Sequence, residues 1–269
     1  MSETQGESLG SIILHHVTND LNYKFLELHL FGYDISITKH VIMLWIAAAI
    51  TVSLAIYGTR RYRENENAQP KGLSHLYEIL INFIREDIII PNIGSSHARL
   101  WTPLITTYFI FILTCNFLGL IPLFDLIPGG SSTVTGNFNA TAGLAMITFF
   151  AIIIAGAMKH GFLGHWKNMI PGDVPSPVLL ILIPIELLGM FVRPFALTMR
   201  LGGNMTAGHI GMLAIFALPI ILGAAPIGIV SILLNTGLYF LEIIVSFVQA
   251  YVFTLLSAVF IGMAIHAEH

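Results

Sequence analysis

Glu186, Arg193, Arg200 and Glu242 are the only charged side chains between Ser176 and Ile265, a stretch that otherwise belongs in hydrocarbon. An arginine or acid at bilayer depth costs about 2.5–3.5 kcal/mol on insertion scales, and such groups face a bundle interior or a wet cavity and mark ion paths. Glu186, Arg193 and Arg200 stand seven apart, so at about 100° per residue their direction drifts only about 20° per step. All three share one helix face, and Asn204, four beyond Arg200, continues it. His209, nine past Arg200, lies half a turn round and faces another way. On the following segment Glu242, Ser246 and Gln249 fall on one face at i, i+4 and i+7, with Tyr239 one turn earlier. Together these groups can pass protons within a membrane.

Blander readings exist for single members. Glu186 with Arg193 suits an ion pair that fixes helix packing, and His209 alone suits a satisfied buried histidine. Arg200 resists this treatment, because no acid lies three or four positions away on either side. Its counter-charge is expected from another helix or another chain.

Other chemistries find no support. Gly129-Gly130-Ser131-Ser132-Thr133 lacks the lysine and the preceding strand of a phosphate loop. No His-Glu-x-x-His and no paired cysteines point to a metal or a cofactor. The single cysteine, Cys115, reads as a small packing residue. Basic patches suited to nucleic acid are absent, the triplets at Asn139 and Asn204 are too common to carry weight, and His15-His16 reads as a solvated pair.

The elements that must hold the constellation follow from composition. The chain is 55% hydrophobic and 10% charged, with mean hydropathy +0.81, whereas soluble domains carry about 25% charged residues. An all-α polytopic membrane protein is expected, one membrane domain over 1–269. Residues 1–38 form a polar external segment without the pattern of a cleavable signal peptide. The expected spans are 41–57, 102–123 and 140–158. Residues 73–90 set Ser74, Glu78, Asn82 and Arg85/Glu86 against Leu76, Leu80, Phe83 and Ile84, which predicts an amphipathic helix lying in the interface. Pro128–Asn137 reads as an external loop. Residues 177–222 and 226–265 are each about twice what crossing some 30 Å requires, and two long, strongly tilted helices are expected rather than four short crossings. That makes about five transmembrane helices. Arg60, Arg61, Arg63 and Lys71 after the first span, and Lys159 and Lys167 after the third, place the N-terminus outside and the C-terminus in the cytoplasm.

The segment Arg200-Leu-Gly-Gly-Asn204-Met-x-Ala-Gly208-His209, preceded by Glu186 and Arg193-Pro194, resembles subunit a of F-type ATP synthases. Cys115-Asn116-Phe-Leu-Gly-Leu-Ile-Pro122 and the spacing of Glu242 and Gln249 extend the resemblance over nearly the whole chain. Some relatives carry Glu where His209 stands and His where Glu242 stands, an exchange that keeps an acid and an imidazole together. Gly202 also replaces a bulkier residue.

What the resemblance implies is a non-catalytic stator that couples proton transport to ATP synthesis. Arg200 would face the carboxylates of a rotating c-subunit ring, with a b-subunit peripheral stalk and the remaining synthase subunits as further partners in a bacterial inner membrane. His209, Glu242, Gln249 and Asn204 would line the wet path, Glu186 and Arg193 its exit side, and Asn116 and Asp125 its external access. The alternative is a self-contained proton- or ion-coupled secondary transporter. Transporters often show paired repeats, and the Arg200 segment has no counterpart in the first half of the chain.

Overall fold

The computed structural model describes residues 24–27, 29–30, 33–34, 36–64, 69, 71–121, 124, 133–161, 164, 176–223 and 225–266. Among them a two-stranded antiparallel pair, β1 (His29–Leu30) and β2 (Tyr33–Asp34), precedes the helices. The helices are α1 (Lys39–Glu64), α2 (Leu73–Phe83), a short α3 (Ile90–Ile93), α4 (Ser95–Leu120), α5 (Phe138–His160), α6 (Ser176–Leu222) and α7 (Ala225–Ile265). Five of them, α1, α4, α5, α6 and α7, are long and apolar enough to cross a membrane. The chain is an all-α polytopic membrane protein, and the small β pair is an addition that the apolar periodicity did not signal.

The structure divides into two compact units, Met1–Ala49 with Ile112–Phe138 and Leu201–Gln249, and Ile50–Phe111 with Asn139–Arg200 and Ala250–His269. In the first, Ala47, Ile112, Cys115 and Leu201 are fully buried, and Phe117 meets Phe247 edge to face at 5.1 Å. The turn between α6 and α7 is short because Gly223 takes a φ of 61°, a left-handed conformation that side-chain-bearing residues rarely adopt.

The second unit is held by small residues and hydroxyls. Ala145, Ala151 and Ala155 of α5 and Ala258 of α7 are buried, which lets backbones approach where lipid offers no hydrophobic drive for association. Thr148 Oγ1 donates to the Tyr108 hydroxyl at 3.2 Å and meets Ser257 Oγ at 3.3 Å. Tyr108 in turn packs edge-on against Phe253.

α2 differs in detail from its expected two-faced pattern. Ser74, placed in the polar stripe, is buried, whereas Leu73, Leu76, Ile79 and Phe83 point outward. The outward apolar stripe suits contact with lipid. Tyr77 lies over Gly58, where a side chain would collide with its ring at 2.6 Å, and burial raises the Tyr77 phenol above its ordinary pKa. Ile84, Ile88 and Ile89 turn inward, because from Ile84 to Ile89 the helix widens into a π turn in which the Ile90 N–H reaches back to the Arg85 carbonyl. Pro91 follows at once. It brings no N–H to the helix.

Candidate functional site

Within the first unit, α6 and α7 bring an imidazole and a carboxylate together inside an apolar frame. His209 is 8% exposed and Glu242 4%. His209 Nδ1 lies 3.2 Å from Glu242 Oε1. The opposite ring nitrogen, Nε2, lies 2.8 Å from Thr133 Oγ1 and 3.3 Å from the Gly119 carbonyl. A carbonyl only accepts, so when Nε2 donates to it the Nδ1···Oε1 line holds one proton. That proton sits on nitrogen in an ion pair or on oxygen in a neutral pair.

Two glycines create the room. A β-carbon at Gly208 would fall on Glu242 Oε1, and one at Gly119 would fall on the Thr133 hydroxyl. The second carboxylate oxygen, Glu242 Oε2, is buried and finds no hydrogen-bond partner among the described residues. Ser246 Oγ, Asn235 Oδ1 and Ser231 Oγ share that condition. A buried oxygen left unpaired costs roughly 1–3 kcal/mol, so a row of four on one helix is a line of acceptors suited to water or a passing proton. A cavity of about 310 Å³ between α6 and α7, bounded by Asn204, Gly208, Leu241 and Glu242, reaches the acid.

Around the pair, Asn204 Nδ2 donates to Gln249 Oε1 at 3.0 Å. Asn116 is fully buried; its Nδ2 donates to the Ser246 carbonyl at 3.1 Å, while Thr135 donates to its Oδ1 at 2.6 Å. Tyr239 donates to the Leu120 carbonyl at 3.0 Å. The structure thus gathers Asn116, Asn204, His209, Glu242, Ser246 and Gln249 in one unit.

The remaining sequence candidates stand otherwise. Arg200 is exposed, and among the described residues no hydrogen bond or ion pair engages it. Arg193, in the second unit, sits over the Phe260 ring at 5.6 Å, a cation–π contact. Glu186 lies in α6, but its side chain is outside the described residues, as is Asp125 altogether.

Sequence reading missed Thr133 and Thr135, which it assigned to an external loop; both are buried, in a turn at Val134–Gly136 that packs inward. It also stopped the α7 polar row at Tyr239, although Asn235 and Ser231 continue it at the same helical spacing. Extending the row upstream would have found them.

The family model for the ATP synthase A chain matches residues 41–262. The chain belongs to the ATP synthase A chain family. ATP synthase subunit a of Chloroherpeton thalassium is 40% identical, over 95% of this chain and 77% of that protein. ATP synthase subunit a 2 of Chlorobaculum tepidum is 41% identical over 96% of this chain and 74% of its own length, and subunit a of Anaeromyxobacter dehalogenans is 37% identical over 95% and 70%. The resemblance read from the Arg200 segment is borne out, and family and five apolar helices together make the chain a multi-pass membrane protein.

Proposed function

We propose that the chain is the stator of the membrane motor of an F-type ATP synthase and provides two offset half-channels for protons against a rotating c-subunit ring. The observation that carries this reading is the His209–Glu242 pair, buried at 3.2 Å in apolar helices, an imidazole and an acid placed so that one proton can rest on either. Glu242, Ser246, Gln249 and Asn204 extend the path on either side of the pair, with Asn116 and Asp125 toward external access and Glu186 and Arg193 toward the exit.

Arg200, exposed on the α6 surface, meets each ring carboxylate as it passes. A fixed cation favours the ionised acid and bars a proton from crossing directly between the half-channels. The carboxylate must then be protonated to re-enter lipid and travels round the ring before it discharges. Each charge moved through the membrane potential contributes about 2.3 kcal/mol per 100 mV. The subunit itself does no bond chemistry; it couples, alongside the ring, a b-subunit peripheral stalk and the other synthase subunits.

The whole chain acts as one membrane domain in a bacterial inner membrane, N-terminus outside and C-terminus in the cytoplasm. Helices of 47 and 41 residues are about 70 and 60 Å long at 1.5 Å per residue. Against a core of about 30 Å, α6 and α7 lie steeply tilted and follow the ring's flank.

Arg200→Ala in the assembled synthase, reconstituted in vesicles, is expected to abolish ATP synthesis driven by an imposed proton gradient while the ring still co-purifies. Undiminished synthesis would falsify the assignment.

A further inference from the structure

In the second unit, a cavity of about 120 Å³ opens between the start of α4, the end of α5 and the end of α7. Its deep side is Trp101 and Ala155, both buried, and its outer walls are Leu100 and Met158, which are 54% and 64% exposed. His97 and Lys159 supply its polar lining, and no carboxylate among the described residues joins them. His97 Nδ1 meets Ser96 Oγ at 3.0 Å, which leaves Nε2 for a ligand. Among the described residues no hydrogen bond or ion pair engages the Lys159 ammonium or the Trp101 indole N–H. The cavity therefore pairs donors and positive charge with apolar wall.

We infer that this cavity binds an anionic phospholipid, its phosphate held by Lys159 and His97, and the start of an acyl chain laid along Leu100 and Met158. Three features select this ligand. The donors match phosphate oxygens, and Lys159 adds a full charge near the ends of two spanning helices, where lysine and tryptophan settle at headgroup depth. The first turn of α4, which begins at Ser95, presents the positive end of a 26-residue helix to the same anion. A free anion leaves Leu100 and Met158 unmatched, and a zwitterionic headgroup sets its own ammonium beside Lys159.

The test uses the full chain in phosphatidylcholine vesicles. Trp45→Phe and Trp166→Phe leave Trp101 as the sole reporter of the 3 tryptophans. Acyl-brominated phosphatidylglycerol is expected to quench Trp101 with a relative binding constant about fivefold that of brominated phosphatidylcholine, the size expected for one cation at a membrane surface. Lys159→Gln with His97→Gln brings the ratio to about one, whereas Lys159→Arg keeps it, which separates lost charge from lost fold. Added inorganic phosphate leaves the ratio unchanged. Equal quenching by the two lipids, a preference that survives the double substitution, or a preference erased by inorganic phosphate would each overturn the site.

Discussion

Thr148 and His209 are both buried, and each ties its helix to other segments of its own unit, Thr148 to two and His209 to three. Thr148 does so with a hydroxyl, between Tyr108 and Ser257, and returns a bond to its own helix at the Leu144 carbonyl. His209 does so with an imidazole, between Glu242, Thr133 and Gly119. The accompanying oxygens sharpen the contrast. Among the described residues the second unit buries one side-chain oxygen without a partner, on Thr106, whereas the first buries four, on Ser231, Asn235, Glu242 and Ser246. Neutral hydroxyls satisfied nearby fix helix packing and have nothing to exchange. An acid–base pair flanked by unsatisfied oxygens is poor cement, and the proposed proton path supplies a reason for its placement.

The comparison can be broken most severely at the glycines. Gly208→Ala drives a β-carbon onto Glu242, while Gly143→Ala on α5 meets open space. The first is expected to abolish gradient-driven ATP synthesis in vesicles; the second leaves it intact and adds up to ~1 kcal/mol of helix propensity. Comparable activity in the two variants would remove the distinction between the units.

A smaller effect is expected from exchanging the pair. His209→Glu with Glu242→His keeps one acid and one imidazole, and it should retain more proton flux than either His209→Ala or Glu242→Ala. Equal loss in all three, measured by dye-reported proton uptake, would show that the two residues act separately.

Asn116→Leu removes the bond to the Ser246 carbonyl and leaves the Thr135 hydroxyl without its acceptor. It should lower stability in detergent by on the order of 1–3 kcal/mol and slow proton uptake as well. Thr148→Val is the mildest case: a loss of about 0.6 kcal/mol, the average for a hydrogen bond between membrane helices, with proton flux unchanged. A flux defect there would mean that hydroxyls of the second unit belong to the path.

Much of the fold was legible because crossing a bilayer demands long apolar runs, and the five spanning helices follow from where Arg, Lys, Pro and Gly interrupt them. The faces of α6 and α7 were legible from periodicity, which set His209 apart from Arg200 and grouped Glu242, Ser246 and Gln249. Thr133 was hidden for a different reason. It lies 76 residues from His209, in a stretch whose Gly and Ser composition signals a loop, and no local spacing reveals that a turn folds inward. The inward side of α2 was misjudged at Ser74 because a serine counts as polar in any pattern, yet it is small enough to sit between helices. Pro91 was visible, but a proline predicts a disturbance without saying whether the helix kinks, stops or widens.

The widened turn at Ile84–Ile89 amounts to one surplus residue wound into an otherwise regular coil. Removing a single residue there lets ordinary winding resume while Ile93 and everything beyond keep their bearing. The same deletion within α7 would swing every later side chain by about 100°. Length can thus vary by one before α4 without disturbing the helices that follow, a tolerance that α7 lacks.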